Sequence, residues 1–132
     1  MSKKLLIIFG LCLVGIIILA NTIHGVFGFV RYIPYGDKVL HFGLLGTLAF
    51  LVAQWVTLSR QSFSPSRLVM TGSLVAVLIT LEEFSQIFIP SRTFDLTDMT
   101  LNILGIACGT LLFSILYTQS GLYKKMDRIP HS

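Results

Sequence analysis

Acidic residues in this 132-residue chain concentrate near the ends of long apolar segments. Five of its six acids lie in such places: Asp37, Glu82, Glu83, Asp95 and Asp98. Ionisable side chains beside hydrocarbon are energetically expensive, so their presence indicates a functional site by default. Carboxylates near basic groups can move protons or bind hydroxyl and amine groups of a ligand. The first place to look for function is therefore this acidic set.

Other polar residues share helix faces with the acids. His41 lies three residues after Lys38, and Asn102 lies four residues after Asp98, so each pair occupies one face of a helix. Together with two residues of an intervening loop, these side chains are expected to line a small polar cavity. We call the following nine residues the polar cluster: Asp37, Lys38, His41, Glu83, Gln86, Arg92, Asp95, Asp98 and Asn102.

Each member of the polar cluster also has a simpler interpretation. Asp37 is placed to cap the N-terminus of a helix, and Lys38 can extend to lipid headgroups. His41 fits an interior packing role, a proton carrier or a metal ligand. Glu83 is the strongest candidate for a general base, with His41 second. Glu83 can equally form a structural ion pair, with Arg92 or Lys38 as its counter-ion.

The sequence gives little support for a metal or another cofactor. One histidine with several carboxylates can hold a divalent ion. However, there is no H-E-x-x-H pattern and no tight run of acids. No G-x-S-x-G element surrounds a serine near the cluster either. We therefore expect neither a bound metal nor a cofactor.

The segments that carry these residues are membrane-spanning by composition. The chain is 54% hydrophobic and 12% charged, and runs of about 20 apolar residues cross the roughly 30 Å hydrocarbon core as helices. The pattern predicts an all-α integral membrane protein, a single domain over 1–132. Its four transmembrane helices are expected at about 5–27, 39–58, 68–89 and 97–117.

Basic residues predict the orientation of these helices. With the N-terminus inside, seven basic residues lie on the inner side and three on the outer side. This bias predicts cytoplasmic N and C termini and an outward-facing polar cluster. The residues after Ala20 do not form a small-residue cleavage site, so we expect the first helix to be retained. The net charge of +4 reflects this topology, and no nucleic-acid partner is expected.

Two spaced strings within 37–109 carry a family resemblance. They are Asp37-Lys38-x-x-His41-Phe42 and Glu83-x-x-Gln86-x-Phe88-x-Pro90-x-Arg92-x-x-Asp95-x-x-Asp98-x-x-x-Asn102-x-x-Gly105-x-x-x-Gly109. In order, spacing and helix layout they resemble the VanZ-like family of small bacterial membrane proteins. Ser91 stands where that family often has glycine.

This resemblance implies a multi-pass protein of the bacterial inner (cytoplasmic) membrane, with the polar cluster as the motif positions. The founding member of the family is associated with low-level resistance to the glycopeptide antibiotic teicoplanin. Most members have no assigned reaction, so the resemblance leaves the role of the motif open.

Three functions fit the residues. The first is binding of a lipid-linked or cell-wall-linked polar group at the outer leaflet, with Arg92 and Lys38 holding a phosphate or carboxylate. The second is an enzyme for such a substrate, with Glu83 or His41 as general base and Arg92 stabilising charge. The third is a purely structural cluster that joins the helices. Membrane lipids are expected partners in all three, and the oligomeric state stays open.

Overall fold

Four helices form the described part of the protein in the computed structural model. The structure describes residues 3–22, 32–88, 90 and 94–121. The helices are α1 (Lys3–Thr22), α2 (Gly36–Arg60), α3 (Pro65–Ser85) and α4 (Leu96–Gln119), with a short 3₁₀ turn at Gln86–Phe88. Every regular element in these ranges is helical, which confirms the predicted all-α class.

Three of the helices are long and apolar enough to cross a membrane. They are Gly36–Arg60, Pro65–Phe88 and Leu96–Gln119, of 25, 24 and 24 residues. At about 1.5 Å per residue, 24 residues extend about 36 Å, more than the hydrocarbon core needs. The first predicted span corresponds to α1, which ends at Thr22 where the described residues stop, and its crossing of a membrane stays a prediction.

Large apolar side chains cover the outside of the bundle. On α3 they include Val69, Met70, Leu74, Val77 and Leu78, all more than half exposed. A water-soluble helix would present polar residues on this face. The surface is therefore compatible with contact to lipid acyl chains.

Two helix starts differ in informative ways from the sequence prediction. The residue preceding α2 is Tyr35, in the left-handed conformation with φ of 60° and no capping side chain. Asp37, predicted as this cap, instead lies in the first turn, where a negative charge still interacts favourably with the helix dipole. At α4, Asp95 is the cap: its carboxylate accepts a hydrogen bond of 2.7 Å from the Thr97 amide.

Close contact between α2 and α4 holds the polar end of the bundle together. The backbones touch at glycines: a Cβ on Gly105 would lie 2.6 Å from the Phe42 carbonyl oxygen, and one on Gly109 would overlap Gly46. The Gly105-x-x-x-Gly109 pattern therefore allows close helix approach, as its spacing predicts. Because the helices cross at these glycines, the first turns of α2 and α4 lie side by side.

The core continues on both sides of this contact. Leu6 of α1 packs with Leu45, Leu48 and Leu51 of α2. At the opposite end of the bundle, Phe63 stacks on Tyr117 with ring centroids 5.2 Å apart. The result is a bundle with an aromatic, apolar end and a polar end.

Candidate ligand-binding site

The outermost contact of the polar end is ionic. The Lys38 ammonium, on α2, lies 2.9 Å from an Asp98 carboxylate oxygen and 3.2 Å from an Asp95 oxygen. Both acids belong to the start of α4, so one lysine joins the two helices. We call these three residues the ionic layer. Its single positive charge is shared between two carboxylates.

Asp95 has two roles in this layer. One carboxylate oxygen caps α4 through the Thr97 amide, and the other accepts from Lys38. Both interactions favour the charged carboxylate. They hold the pKa of Asp95 below its ordinary value, with the Thr97 amide as the largest cause.

This double role gives a prediction for two substitutions of Asp95. Asparagine caps helices about as well as aspartate but carries no charge for Lys38, so Asp95→Asn should lower the melting temperature less than Asp95→Ala. The lowered pKa means that the carboxylate contributes stability above the ordinary aspartate range and loses it as the pH falls through the native pKa. The difference between wild type and Asp95→Asn should therefore shrink below about pH 4.

Melting curves of detergent-purified protein between pH 3 and pH 8 measure this directly. Asp37→Asn is the matched control, because Asp37 is an exposed first-turn aspartate with no hydrogen bond or ion pair to another described side chain. Equal pH dependence of the two asparagine variants would contradict the assigned role of Asp95.

One helical turn below the ionic layer lies a chain of hydrogen bonds across three helices, which is partly buried at His41 and buried at Asn102 and Glu83. His41 Nδ1, on α2, donates to Asn102 Oδ1, on α4, at 3.2 Å. Asn102 Nδ2 donates to Glu83 Oε1, on α3, at 3.3 Å. Asn102 is 2% and Glu83 4% exposed. We call these three residues the amide layer.

Gln86 belongs to the same end of the bundle and has a partner of its own. It is buried in the 3₁₀ turn after α3, and its Nε2 donates to Glu82 Oε1 at 3.0 Å. The exposed carboxylate of Glu82 thus orients a buried residue of the polar cluster, a role that the four-residue spacing of the two side chains could have indicated.

The structure corrects one predicted pairing. Lys38 was one of two proposed counter-ions for Glu83, but it contacts Asp95 and Asp98. The described partner of Glu83 is the neutral amide of Asn102. The reason is geometric: Lys38 lies at the start of α2, level with the start of α4, whereas Glu83 lies one turn deeper.

Two other cluster residues stand apart from these layers. Asp37 is exposed in the first turn of α2. Arg92 lies outside the described residues, so its proposed pairing with Glu83 stays a prediction. The ionic and amide layers thus bring together Lys38, His41, Glu83, Asp95, Asp98 and Asn102.

Apolar grooves flank α4 beneath the polar end. One, of about 340 Å³, lies between α3 and α4 and includes Gly72, Ala76 and Ala107. Another, of about 400 Å³, lies between α2 and α4 and includes Gly43 and Gly46. Their apolar walls suit lipid chains. The polar cavity that the sequence predicts stays a prediction.

Metal binding finds no geometric support in the part of the chain that the structure describes. No three histidine, cysteine, aspartate or glutamate side chains converge there as a set of metal ligands. The carboxylates of the ionic layer contact a lysine, and the amide layer contributes one histidine and one carboxylate.

Comparison with known proteins places this arrangement in a family. A protein of the fission yeast Schizosaccharomyces pombe, named only as uncharacterized, is 37% identical over 101 residues. The match covers 75% of this chain and 59% of the yeast protein, so the chain spans little more than half of that relative. No solved structure matches. The VanZ/LLP1 family model matches residues 11–117, a range that includes both layers and the glycine contact. The chain belongs to the VanZ/LLP1 family.

Proposed function

We propose that the polar cluster binds the polar headgroup of a membrane lipid or lipid-linked molecule. The observation that carries the proposal is the amide layer, in which the nearly fully buried Glu83 and Asn102 and the partly buried His41, from three apolar helices, converge at one end of the bundle. Burying such groups is unfavourable unless they are hydrogen-bonded. Glycine contacts already join α2 and α4 without these polar groups.

The surroundings of the cluster support an amphipathic ligand. The grooves beside α4 are apolar and begin close to the amide layer: Ile103, adjacent to Asn102, lines the α3–α4 groove. A lipid headgroup at the cluster would therefore have room for its chain alongside. The yeast relative favours a headgroup over a group confined to bacterial walls, because both kinds of cell have lipid headgroups.

Narrower parts of the proposal concern location and physiology. We propose four membrane crossings, cytoplasmic termini and a cluster that faces outward, supported by the excess of basic residues on the inner side. In a bacterial host this places the site at the outer leaflet of the inner membrane. There, ligand binding would contribute to envelope homeostasis or to glycopeptide resistance of the teicoplanin type. Susceptibility of a sensitive host with and without the gene tests the resistance role.

Photocrosslinking tests headgroup binding. A photoreactive amino acid replaces Thr97, which is exposed beside the ionic layer, and the matched control replaces Gln119, exposed at the other end of α4. Irradiation of whole membranes and mass spectrometry of the adducts should show one lipid class enriched at position 97 over position 119. Identical lipid profiles at both positions would refute selective binding at the cluster.

A second candidate is an enzyme acting on the same ligand. It is favoured by the arrangement of His41, which is hydrogen-bonded by Asn102, itself held by Glu83. A base oriented by a second group is typical of acid–base sites. In this version His41 or Glu83 acts as general base, and Arg92 stabilises developing charge. Conversion of the captured lipid by purified protein, abolished in Glu83→Gln or His41→Gln, would distinguish catalysis from binding.

A further inference from the structure

We infer that His41 Nε2 is the hydrogen-bond acceptor that the polar cluster presents to its ligand, and that Asn102 and Glu83 act as positioning residues that hold His41 in this form. The inference rests on the proposed binding function and assigns a chemistry to it. It also separates two residues that the sequence leaves equivalent, since Glu83 becomes an anchor and His41 the group that meets the ligand.

The direction of the hydrogen bonds begins at Glu83. The NH₂ of Asn102 lies 3.3 Å from Glu83 Oε1 and donates to this oxygen. An amide nitrogen has hydrogens to donate and does not accept. This contact fixes the orientation of the amide, and its carbonyl oxygen faces His41.

The amide then determines the tautomer of His41. A carbonyl oxygen cannot donate, so the hydrogen in the 3.2 Å contact belongs to His41 Nδ1. In a neutral imidazole one nitrogen carries the hydrogen and the other has a free lone pair. That lone pair is on Nε2, which makes no hydrogen bond to a described side chain.

An acceptor at this point selects the chemistry of the ligand. Nε2 matches a hydroxyl or ammonium group, each of which donates hydrogen bonds. The ionic layer is a poor site for an anionic group of the ligand, because its lysine, Lys38, already contacts two carboxylates. The ligand group at the amide layer is therefore a hydroxyl or amine of the headgroup, and a phosphate on the same molecule would have to be held elsewhere.

Nuclear magnetic resonance of the histidine ring tests the inference without any ligand. The protein is labelled with ¹³C,¹⁵N-histidine and reconstituted in phosphatidylcholine vesicles at pH 8, above the ordinary histidine range. The chain has three histidines, and the spectrum of His41→Gln assigns the His41 signals. Ring carbon and nitrogen shifts distinguish the two neutral tautomers. The expected result is a predominantly Nδ1-protonated His41.

Matched variants separate positioning from folding. Glu83→Gln keeps an oxygen that can accept from Asn102, so the Nδ1-protonated form should persist. Glu83→Leu removes the acceptor, and Asn102→Leu removes the partner of His41, so in both the Nδ1-protonated form should be lost. A predominantly Nε2-protonated His41 in the wild type would overturn the inference. So would a tautomer unchanged by Asn102→Leu.

The two proposals fail in different experiments. If His41 has the wrong tautomer but position 97 still captures one lipid class, headgroup binding stands and the role given to His41 is wrong. If the tautomer is as inferred but crosslinking is unselective, the proposal of headgroup binding is wrong and the hydrogen-bonded arrangement of His41 stands. If the tautomer is as inferred and crosslinking is selective, lipids with hydroxyl- or amine-bearing headgroups should dominate the adducts at position 97. His41→Phe should then reduce the yield of these adducts at least several-fold.

Discussion

Gly109→Ala is expected to destabilise the folded bundle by about 1–3 kcal/mol or more, as overpacking does in a tight interface. A Cβ at this position would overlap the backbone of Gly46 on α2. Backbone atoms cannot move aside as a flexible side chain can, so α2 and α4 would have to separate. That separation would also pull Lys38 away from Asp98 and open the polar end.

Gly43→Ala is the control for this substitution. Gly43 is also a helical glycine beside the α2–α4 groove, but a Cβ there meets nothing within 4 Å. Alanine is favoured over glycine in a helix by about 0.5–1 kcal/mol, so Gly43→Ala should leave stability unchanged or slightly raised. The melting temperature and the monodisperse yield in detergent measure both variants. Equal behaviour would mean that α2 and α4 pack less closely than the structure shows.

Much of this arrangement follows from the sequence by helix geometry. The spacing of Asp98, Asn102, Gly105 and Gly109 places them on one face of α4, and the structure has that face packed against α2. Period and spacing are local properties, so a sequence reveals them. The same is true of Lys38 and His41 on α2, which contact successive turns of α4.

Partner choice was harder to predict, because it depends on the relative height of helix ends. Lys38 and Glu83 have opposite charges and lie at the same end of the bundle, yet Lys38 contacts the acids at the start of α4. The start of α2 depends on a left-handed Tyr35, which no residue preference would suggest. Asp37 is consequently a first-turn residue, and the helix cap among the cluster acids is Asp95.

Gly46 is a residue that sequence reasoning missed. It supplies the α2 side of the glycine contact, and its carbonyl lies against Gly109. The signal was present as Gly43-x-x-Gly46, but the three-residue spacing is less familiar than the four-residue pattern on α4. The packing partner of Gly105 and Gly109 was therefore left unassigned until the helices were seen together.

Among substitutions of a polar residue by an apolar one, Asn102→Leu is expected to lower the stability of the folded bundle most. The interhelical hydrogen bonds that it removes contribute only modestly, on average about 0.6 kcal/mol each in a membrane protein. The larger effect comes from Glu83, which would be left buried without its described partner. A buried acceptor that loses its hydrogen-bond partner typically costs about 1–3 kcal/mol, and more where it is charged, so the single variant should unfold at lower temperature.

The double variant Asn102→Leu/Glu83→Leu separates stability from function. It removes the Glu83 carboxylate that has lost its partner, so the double variant should be more stable than Asn102→Leu alone. The effects of the two substitutions on the free energy of unfolding should be strongly non-additive in a double-mutant cycle. Equilibrium unfolding in detergent measures this coupling. Additive losses would show that Asn102 and Glu83 do not interact as the 3.3 Å contact indicates.

Because this double variant should fold, it also tests whether the amide layer is needed for binding or only for folding. If the amide layer serves only to join the helices, an apolar layer of similar volume performs that task and selective lipid capture at position 97 has no reason to change. If the layer binds a headgroup, capture falls to the level seen at position 119 while the bundle stays folded. A stable bundle without selective capture is the outcome that the binding proposal requires, because the polar groups would then be needed for binding and not for folding.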